Sequence, residues 1–333
     1  MRKICFCGRF TGGGTERATF MVANKLNKLY KVYIINMCDN EPCFYLDKKI
    51  NLKKNKSNRY MSSLFALIQF VLKEKIDVII TVEAMTGIYT IPASKLCRCK
   101  NIIWEHANYF QTQGSRIIQY VRQLELMFCD TYLVLTKRDK KNFEEHFKIK
   151  TRLEYIYNAI ENVSETEYNA DSKTIISAGH IRNIKNFSII PDIGKIVLKK
   201  HPDWVWKIYG DGQGEEYDEL VDKINRYGLS SNIKICGRTD NMDAVYKDAA
   251  IYVMTSLMEG LPMVLLEAKS HKIPIISFDI ETGPDEIVRD GVNGYLVKPY
   301  SESEMAEKIL DVIENGDVRR RFSDDSILGI SEF

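Results

Sequence analysis

The 333-residue sequence contains no apolar run that is long enough to span a bilayer. The longest such run, from Leu64 to Leu72, is interrupted by Gln69. The apolar stretch near the start is also too short for the core of a secretory signal peptide, so we interpret it as a first β-strand. Neither feature indicates a membrane-spanning or a secreted protein.

The eight cysteines are too few to form a disulfide framework in a chain of this size. Cys5 and Cys7, and likewise Cys97 and Cys99, are separated by one residue, which is not the C-x-x-C spacing of common zinc sites. We predict free thiols in a reducing cytoplasm and no bound metal ion.

The glycine-rich segment 12–14 does not match the G-x-G-x-x-G fingerprint of dinucleotide-binding proteins. The second predicted strand also ends in Ile34-Ile35-Asn36, without the acidic residue that would bind a ribose. These absences disfavour an NAD-dependent oxidoreductase. Gly13 and Gly14 are predicted to let the backbone approach a donor or acceptor closely, with Thr15 as the N-cap of the following helix.

The net charge of +2 conceals a strong asymmetry between the two halves of the chain. Residues 1–160 hold 27 Lys and Arg against 14 Asp and Glu, whereas the remainder holds 20 against 31. Much of the basic excess is concentrated in Lys48, Lys49, Lys53, Lys54, Lys56 and Arg59. Such a cluster suits an anionic membrane surface or an anionic lipid acceptor, where each cation contributes about 1 kcal/mol. A solvated lysine-rich loop is the alternative. Without a basic repeat interleaved with aromatic residues, we expect no nucleic-acid partner.

Short β-branched runs alternate with helix-length amphipathic segments, and this pattern restarts after a polar, acidic stretch at residues 161–172. It predicts six strands in each half and parallel sheets covered by helices on both faces. The fold class is therefore α/β, with two doubly wound Rossmann-like domains facing a central cleft. We predict the domains at residues 1–162 and 163–316, followed by a C-terminal tail at 317–333 that turns back toward the first domain.

The most informative segment runs from Glu259 to Glu267. It follows the buried strand predicted at Ile251–Met254, and Pro262 suits the first turn of a helix because its missing N–H would be unpaired there. Glu259 then lies at a strand-to-helix corner, with Glu267 two turns further along. A helix start offers N–H groups and partial positive charge to a phosphate, so a helix cap with a solvated Glu is the less favoured alternative.

This segment resembles the signature of the retaining, nucleotide-sugar-dependent glycosyltransferases of family four, which have the GT-B fold. The resemblance continues at residues 12–17, 104–108, 179–186 and 277–284, and so covers nearly the whole chain. It implies transfer of a hexose or N-acetylhexosamine from a UDP-sugar to a saccharide acceptor, in bacterial surface-polysaccharide synthesis. Metal independence follows from the same resemblance, since such enzymes hold the leaving phosphate with Lys, Arg and helix N-termini.

The resemblance also implies roles for individual residues. His106 would hydrogen-bond a donor hydroxyl, Glu259 would bind the sugar, Glu267 the ribose, and Lys185 the phosphate. The donor-binding residues implied in addition are Gly13, Gly14, His180, Arg182, Arg238, Gly260, Leu261 and Met263. The family usually has Arg where this chain has His180, so either His180 or Arg182 supplies the second cation.

The predicted protein is thus a cytoplasmic glycosyltransferase, peripheral on the inner face of the membrane, that acts on a polyprenyl-diphosphate-linked or other saccharide. Its basic first domain motivates the membrane partner, and UDP-sugar is a co-substrate rather than a cofactor. The alternatives are an NAD-binding protein of two Rossmann-like domains and a non-catalytic nucleotide sensor. The donor sugar, linkage, acceptor and oligomeric state stay open at this stage.

Overall fold

The computed structural model of the chain describes residues 1–55, 59–112, 115–160, 163–165 and 167–333. Within these ranges the chain forms two compact units, Met1–Ala159 and Ile160–Phe333. Lys56 of the basic cluster and part of the predicted linker, including the boundary at residue 162, lie outside the described residues.

The first unit is built on a parallel sheet of seven strands in the order β3-β2-β1-β4-β5-β6-β7. Its elements are β1 Lys3–Gly8, α1 Gly14–Leu26, β2 Lys31–Asn36, β3 Asn51–Lys54, α2 Tyr60–Glu74, β4 Val78–Val82, α3 Gly87–Cys97, β5 Lys100–Trp104, α4 Arg116–Phe128, β6 Thr131–Val134, α5 Lys137–His146 and β7 Arg152–Tyr155. The strand order reverses direction between β1 and β4, which are direct neighbours.

The second unit repeats this architecture with six parallel strands in the order β10-β9-β8-β11-β12-β13. Its elements are β8 Thr174–Ala178, α6 Ile190–Lys200, β9 Val205–Tyr209, α7 Glu215–Arg226, β10 Ile233–Gly237, α8 Met242–Lys247, β11 Ile251–Met254, α9 Met263–Ser270, β12 Ile275–Phe278, α10 Pro284–Ile287, β13 Gly294–Val297, α11 Glu302–Glu314 and α12 Gly316–Ser326. The predicted class of two doubly wound α/β units is confirmed.

The central strands of both sheets are continuous apolar runs because helices cover both of their faces. Every residue of β8, β11 and β12 is buried. In the first unit, Cys5 and Cys7 of β1 join Tyr33 and the apolar face of α2 in one core cluster. Burial raises the pKa of the Cys7 thiol to about 12, so this thiol is a core side chain and not a reactive one.

Four elements are absent from the sequence prediction: β3, α3, α10 and α12. The sequence analysis gave the lysines of β3 no strand, yet its residues pair in register with β2 at the sheet edge, where lysines are common. Pro92 lies within α3 and interrupts the helical pattern of its sequence.

Helix α12 belongs to the second unit, where the ring of Phe322 meets Tyr295 edge-on at 4.9 Å between centroids. Within the described ranges, no helix is both long and apolar enough to cross a bilayer.

Arg122 is a buried cation on α4 that holds the loop after β5. Its Nε donates to Glu105 Oε2 at 3.0 Å, and its guanidinium also donates to the carbonyl of Tyr109 at 2.9 Å. The Glu105 carboxylate in turn accepts from the amide of Ala107 at 3.0 Å. Because both charged side chains are about 1% exposed, each depends on the other for compensation. The pair therefore fixes the loop that carries His106.

Glu83 follows β4, next to the same loop, and has φ +69°, in the left-handed region that side chains other than glycine seldom adopt. Its amide donates to the carbonyl of Trp104 at 3.1 Å, which fixes it against β5. Burial raises the pKa of its carboxyl group to about 7; the nearby Glu105 raises it further and Arg9 opposes the shift. Glu83 is thus a strained, titratable residue at the point where the strand order reverses.

We expect Arg122→Met to destabilise the first unit strongly, because Glu105 would remain buried without its countercharge. Such a loss costs about 3–5 kcal/mol, which lowers the thermal unfolding midpoint by roughly 10 °C for a unit of this size. Lys100→Met is the control, since its ion pair with Asp130 has a Lys side chain that is 72% exposed. Equal decreases of the unfolding midpoint in the two variants would show that the buried Arg122–Glu105 pair is no more important for stability than the exposed pair.

Glu83 also predicts a pH dependence of stability. The folded state favours the protonated carboxyl, so its contribution is complete below the ordinary pKa and is lost as the pH rises through about 7. Glu83→Gln should therefore unfold at a higher temperature than the parent at about pH 8, with the difference vanishing near about pH 4.5. The exposed Glu145→Gln should show no such trend. A pH-independent difference for Glu83→Gln would contradict the assignment.

Candidate active site

The order of the second sheet brings the carboxyl ends of β8 and β11 side by side. The chain leaves these strands through residues 179–189 and 255–262 at the same edge of the sheet. This is the point where the strand order reverses, and open α/β sheets bind their ligands at such points.

Lys185 and Glu259 form an ion pair across this point, with 2.5 Å between Nζ and Oε1. Their side chains are 22% and 15% exposed, so the pair lies at the surface of the sheet edge and is partly shielded from water. The two backbones are also joined, since Leu257 N donates to Ile184 O and Thr255 Oγ1 donates to Lys185 O, both at 2.9 Å. The structure thus brings together two residues that the sequence analysis selected separately. Lys185 precedes the first helical turn, which begins at Phe187.

A third segment holds Glu259 from the opposite side. Thr282 Oγ1 donates to the Glu259 carbonyl at 2.6 Å. Gly283 packs directly on the corner, because a Cβ there would lie 2.6 Å from Pro262 Cδ and 2.8 Å from Gly260 O, and its φ is +104°. Gly283 belongs to the segment 277–284 that carries part of the family resemblance, and it is buried against the corner. Thr282 was not predicted as a site residue.

Helix α9 begins at Met263, one residue later than predicted, with Pro262 as its N-cap. No side chain among the described residues caps this start. Leu261 and Met263 bury their side chains, whereas Gly260 is half-buried at the corner. The first-turn N–H groups therefore point to the same sheet edge as Lys185, where an anion would be stabilised by both.

Glu267 lies about one turn along α9 and is 9% exposed. Its Oε2 accepts a hydrogen bond of 2.7 Å from the hydroxyl of Tyr246, which is buried on α8. The Tyr246 ring stacks on His271, whose Nε2 is 2.9 Å from Asp243 Oδ1. The orientation of Glu267 is thus set by a tyrosine 21 residues earlier, for which the sequence carries no signal.

The two candidates for a second cation lie in the turn before Lys185. His180 and Arg182 are both exposed, on either side of the buried Ile181. Ile181 forms an isolated bridge with Gly212, and its amide donates to Asp211 O at 2.8 Å. The Arg182 carbonyl accepts from Lys185 N at 2.8 Å, so this turn also positions Lys185. Arg238, one of the donor-binding residues implied by the resemblance, is exposed directly after β10.

In the first unit, the glycine loop has a different cap from the predicted one. Gly13, with φ +95°, is the N-cap of α1, and Thr15 is already helical. Glu16 closes the loop by accepting from Gly12 N at 2.8 Å and from Cys43 N at 2.6 Å. The prediction of Thr15 as the cap is wrong, because this carboxylate takes up the loop N–H groups. Gly14 begins the helix.

His106 directly follows Glu105, at the carboxyl end of β5, and is 9% exposed. Its ring lies 4.4 Å from that of Trp104. Burial lowers the pKa of His106 to about 3, so the imidazole is neutral at physiological pH. Its buried Nε2 has no hydrogen-bond partner among the described residues. Since buried polar atoms are rarely left unpaired, this nitrogen is suited to a ligand hydroxyl.

The predicted basic cluster does not form one uniform patch. Lys48 and Lys49 are exposed in a turn, whereas Lys53 lies in β3 with its Nζ 4.6 Å from the centre of the Phe70 ring. Lys54 pairs with Glu41 at 2.5 Å. Arg59 is the N-cap of α2. Two cations of the cluster therefore interact within the unit.

Two family profiles match the chain and together span most of it. The profile described as glycosyl transferases group 1 matches residues 159–327, and the one described as glycosyltransferase family 4 matches residues 12–162. An uncharacterized glycosyltransferase of Haemophilus influenzae is 30% identical, over 98% of this chain and 95% of that protein. The amylovoran biosynthesis glycosyltransferase AmsD of Erwinia amylovora is 29% identical, over 96% of this chain and 92% of that protein.

Solved structures show the same fold at low sequence identity. HepE from Anabaena, crystallised with UDP-glucose, superposes with a TM-score of 0.88 at 18% identity, covering 100% of this chain and 95% of that one. TarM superposes with a TM-score of 0.85 at 15% identity, covering 100% and 96%. With the motifs and the strand order described above, these matches show that the chain belongs to the group 1 glycosyl transferases and is a glycosyltransferase of the family-four type with the GT-B fold.

Proposed function

We propose that this enzyme transfers a hexose or N-acetylhexosamine from a UDP-sugar to a saccharide carried on a polyprenyl diphosphate, with retention of anomeric configuration and without a metal ion. The product would be part of a surface polysaccharide. The observation that carries the proposal is the Lys185–Glu259 pair beside the start of α9, at the reversal point of the second sheet.

The transfer reaction requires a group that stabilises the negative charge on the leaving nucleoside diphosphate. The Lys185 ammonium has three N–H donors, of which the pair with Glu259 uses one. Held in this way, the ammonium and the N–H groups of α9 act as fixed donors to the pyrophosphate. Each such preorganised donor is worth about 3–4 kcal/mol in the transition state. Glu259 would accept hydrogen bonds from hydroxyl groups of the transferred sugar. Glu259 and Lys185 would then contact neighbouring parts of one UDP-sugar, the sugar and the pyrophosphate.

Glu267 is suited to the ribose of the nucleotide. Ribose diols are commonly bound by a carboxylate that accepts from both hydroxyl groups, as in other Rossmann-like sites. The hydrogen bond from Tyr246 fixes one oxygen of Glu267, so the carboxylate is oriented before the ligand arrives. This preorganisation reduces the entropy that binding would otherwise cost.

The environment of His106 favours a role in substrate binding over a role in proton transfer. An imidazole whose pKa is lowered to about 3 is a weak base at neutral pH. A neutral Nε2 can nevertheless exchange a hydrogen bond with a donor hydroxyl near the reacting carbon. We therefore propose that the acceptor hydroxyl passes its proton to the leaving phosphate, in a front-face reaction that retains the anomeric configuration.

The names of relatives support the donor and acceptor classes. HepE was solved with UDP-glucose, and a Campylobacter jejuni relative that is 26% identical over 96% of this chain is named an N-acetylgalactosaminyltransferase acting on an undecaprenol-linked glycan. A lipid-linked acceptor would place the enzyme on the inner face of the membrane. The excess of cations in residues 1–160 is consistent with that location.

A panel of UDP-sugars, GDP-sugars and NAD tests the donor class by thermal shift, because a ligand raises the unfolding temperature according to its affinity. We expect a response to at least one UDP-sugar, and loss of most of that response in Glu267→Ala. Tyr246→Phe retains the carboxylate but removes its hydrogen bond, so we expect an intermediate loss of about tenfold in affinity.

The matched control for that variant is Tyr227→Phe, which removes another tyrosine–carboxylate hydrogen bond of 2.7 Å, to Asp192, in the same unit. It should leave the UDP-sugar response unchanged. A response to NAD alone would contradict the proposed function, and equal losses in Tyr246→Phe and Tyr227→Phe would remove Tyr246 from the site.

Lys185→Ala should slow cleavage of the donor by about a hundredfold or more, because the leaving phosphate loses its nearest cation. The measurement is slow donor hydrolysis with the UDP-sugar identified above, which needs no acceptor. Lys173→Ala serves as the control, since its pair with Asp203 at 2.6 Å is exposed on both sides. Full activity in Lys185→Ala would exclude this lysine from the mechanism.

A further inference from the structure

The outward side of α2, α3 and α4 carries an unusual number of exposed apolar side chains. Ten of the 21 large hydrophobic residues exposed in the described part of the chain lie between Tyr60 and Phe128. On α2 they include Met61, Phe65 and Leu72, which are each at least 58% exposed. On α4, Ile117, Tyr120 and Phe128 are each at least 50% exposed. Soluble surfaces seldom collect so many without a partner.

The spacing of these residues places them on single helix faces. Met61, Phe65 and Leu72 recur at i, i+4 and i+11 along α2, and Ile117, Tyr120 and Phe128 recur at i, i+3 and i+11 along α4. The opposite side of α2 is already used, because Leu67, Phe70 and Val71 pack into the core. Helix α2 is therefore apolar on two sides.

The three helices lie next to one another, since α3 contacts both α2 and α4. Leu96 of α3, 69% exposed, adds to the same layer. With α2 fifteen residues long, this surface extends over about 22 Å along the helices. We call the outward side of α2, α3 and α4 the α2–α4 face.

The charges of this region favour an anionic partner. Between residues 59 and 128, the described exposed charged residues are seven cations and one carboxylate. The carboxylate, Asp77, accepts from the Lys3 amide at 2.7 Å. The cations are Arg59, Lys73, Lys75, Lys95, Arg98, Lys100 and Arg116. The acidic residues of the helices themselves are Glu74, half-buried and bonded to the Tyr33 hydroxyl, and Glu125, which is buried.

From this combination we infer that the α2–α4 face docks on an anionic phospholipid bilayer. Cations attract the lipid headgroups, and aromatic and aliphatic side chains between them enter the interface, as on other membrane-surface helices. Phe65 and Tyr120 are the principal insertion points, and Lys73 and Lys95 the principal headgroup contacts. The inference deepens the proposed function and rests on its lipid-linked acceptor, but it places the docking surface on helices and not at Lys48, Lys49, Lys53 and Lys54.

Vesicle co-sedimentation of the full chain tests this assignment. The probes are vesicles of phosphatidylcholine alone and of phosphatidylcholine mixed with phosphatidylglycerol. We expect binding to the anionic vesicles that weakens with salt. Phe65→Ser/Tyr120→Ser and Lys73→Glu/Lys95→Glu should each reduce the partition coefficient by about tenfold or more.

Matched controls change the same chemistry elsewhere on the first unit. Lys48→Glu/Lys49→Glu alters the charge equally, and Leu29→Ser/Tyr45→Ser removes two side chains that are 69% and 78% exposed. Both controls should stay within about twofold of the parent. Three results would overturn the inference: no binding by the parent, equal losses in the controls, or a dimer in solution that Phe65→Ser/Tyr120→Ser dissociates without any vesicle binding.

The UDP-sugar thermal shift is measured on every variant and separates this inference from the proposed function. Loss of vesicle binding in variants that keep the UDP-sugar thermal shift would support the assignment of the docking surface. Vesicle binding by a parent protein that responds to no nucleotide sugar would contradict the proposed function and leave the docking result standing.

Discussion

The ion pair between Lys185 and Glu259 is the interaction on which the candidate site depends. It joins residues 74 positions apart, and it exists because β8 and β11 are neighbours at the point where the sheet order reverses. A cation alone at this edge would be mobile, and a carboxylate alone would repel a phosphate. Paired and supported by hydrogen bonds between their loops, they offer a positive group and an acceptor in fixed positions.

Both units position their candidate functional groups with buried polar contacts. In the second unit, Thr282 and Tyr246 hold Glu259 and Glu267 by bonds of 2.6 and 2.7 Å. In the first, Arg122 holds the loop of His106 through a buried ion pair. Such contacts are costly to leave unpaired, so each confines the group it supports to one geometry. A reaction that works by positioning and charge stabilisation needs this rigidity.

The structure distributes the cations of the first unit differently from what the composition suggests. The excess of cations in the first half suggested one lysine-rich segment, but Lys53 and Lys54 interact within the unit. The exposed Phe65 and Tyr120 are instead accompanied by cations that lie in or next to α2, α3 and α4, such as Lys73, Lys95 and Arg116. Net charge per segment cannot distinguish these cases because it ignores which side chains share a face.

Local patterns were sufficient for the fold class and the corner at Glu259, whereas Lys185, Glu267 and His106 were selected through the family resemblance. Apolar runs mark buried parallel strands, and a Pro after a strand marks a helix start; both depend on neighbours in the chain. The same patterns missed β3 and α3, where lysines and a proline mask the periodicity. They also did not identify the supporting residues Tyr246, Thr282 and Arg122. Those partners are fixed by strand order and register, which bring distant residues together in space, and no periodicity along the chain encodes them.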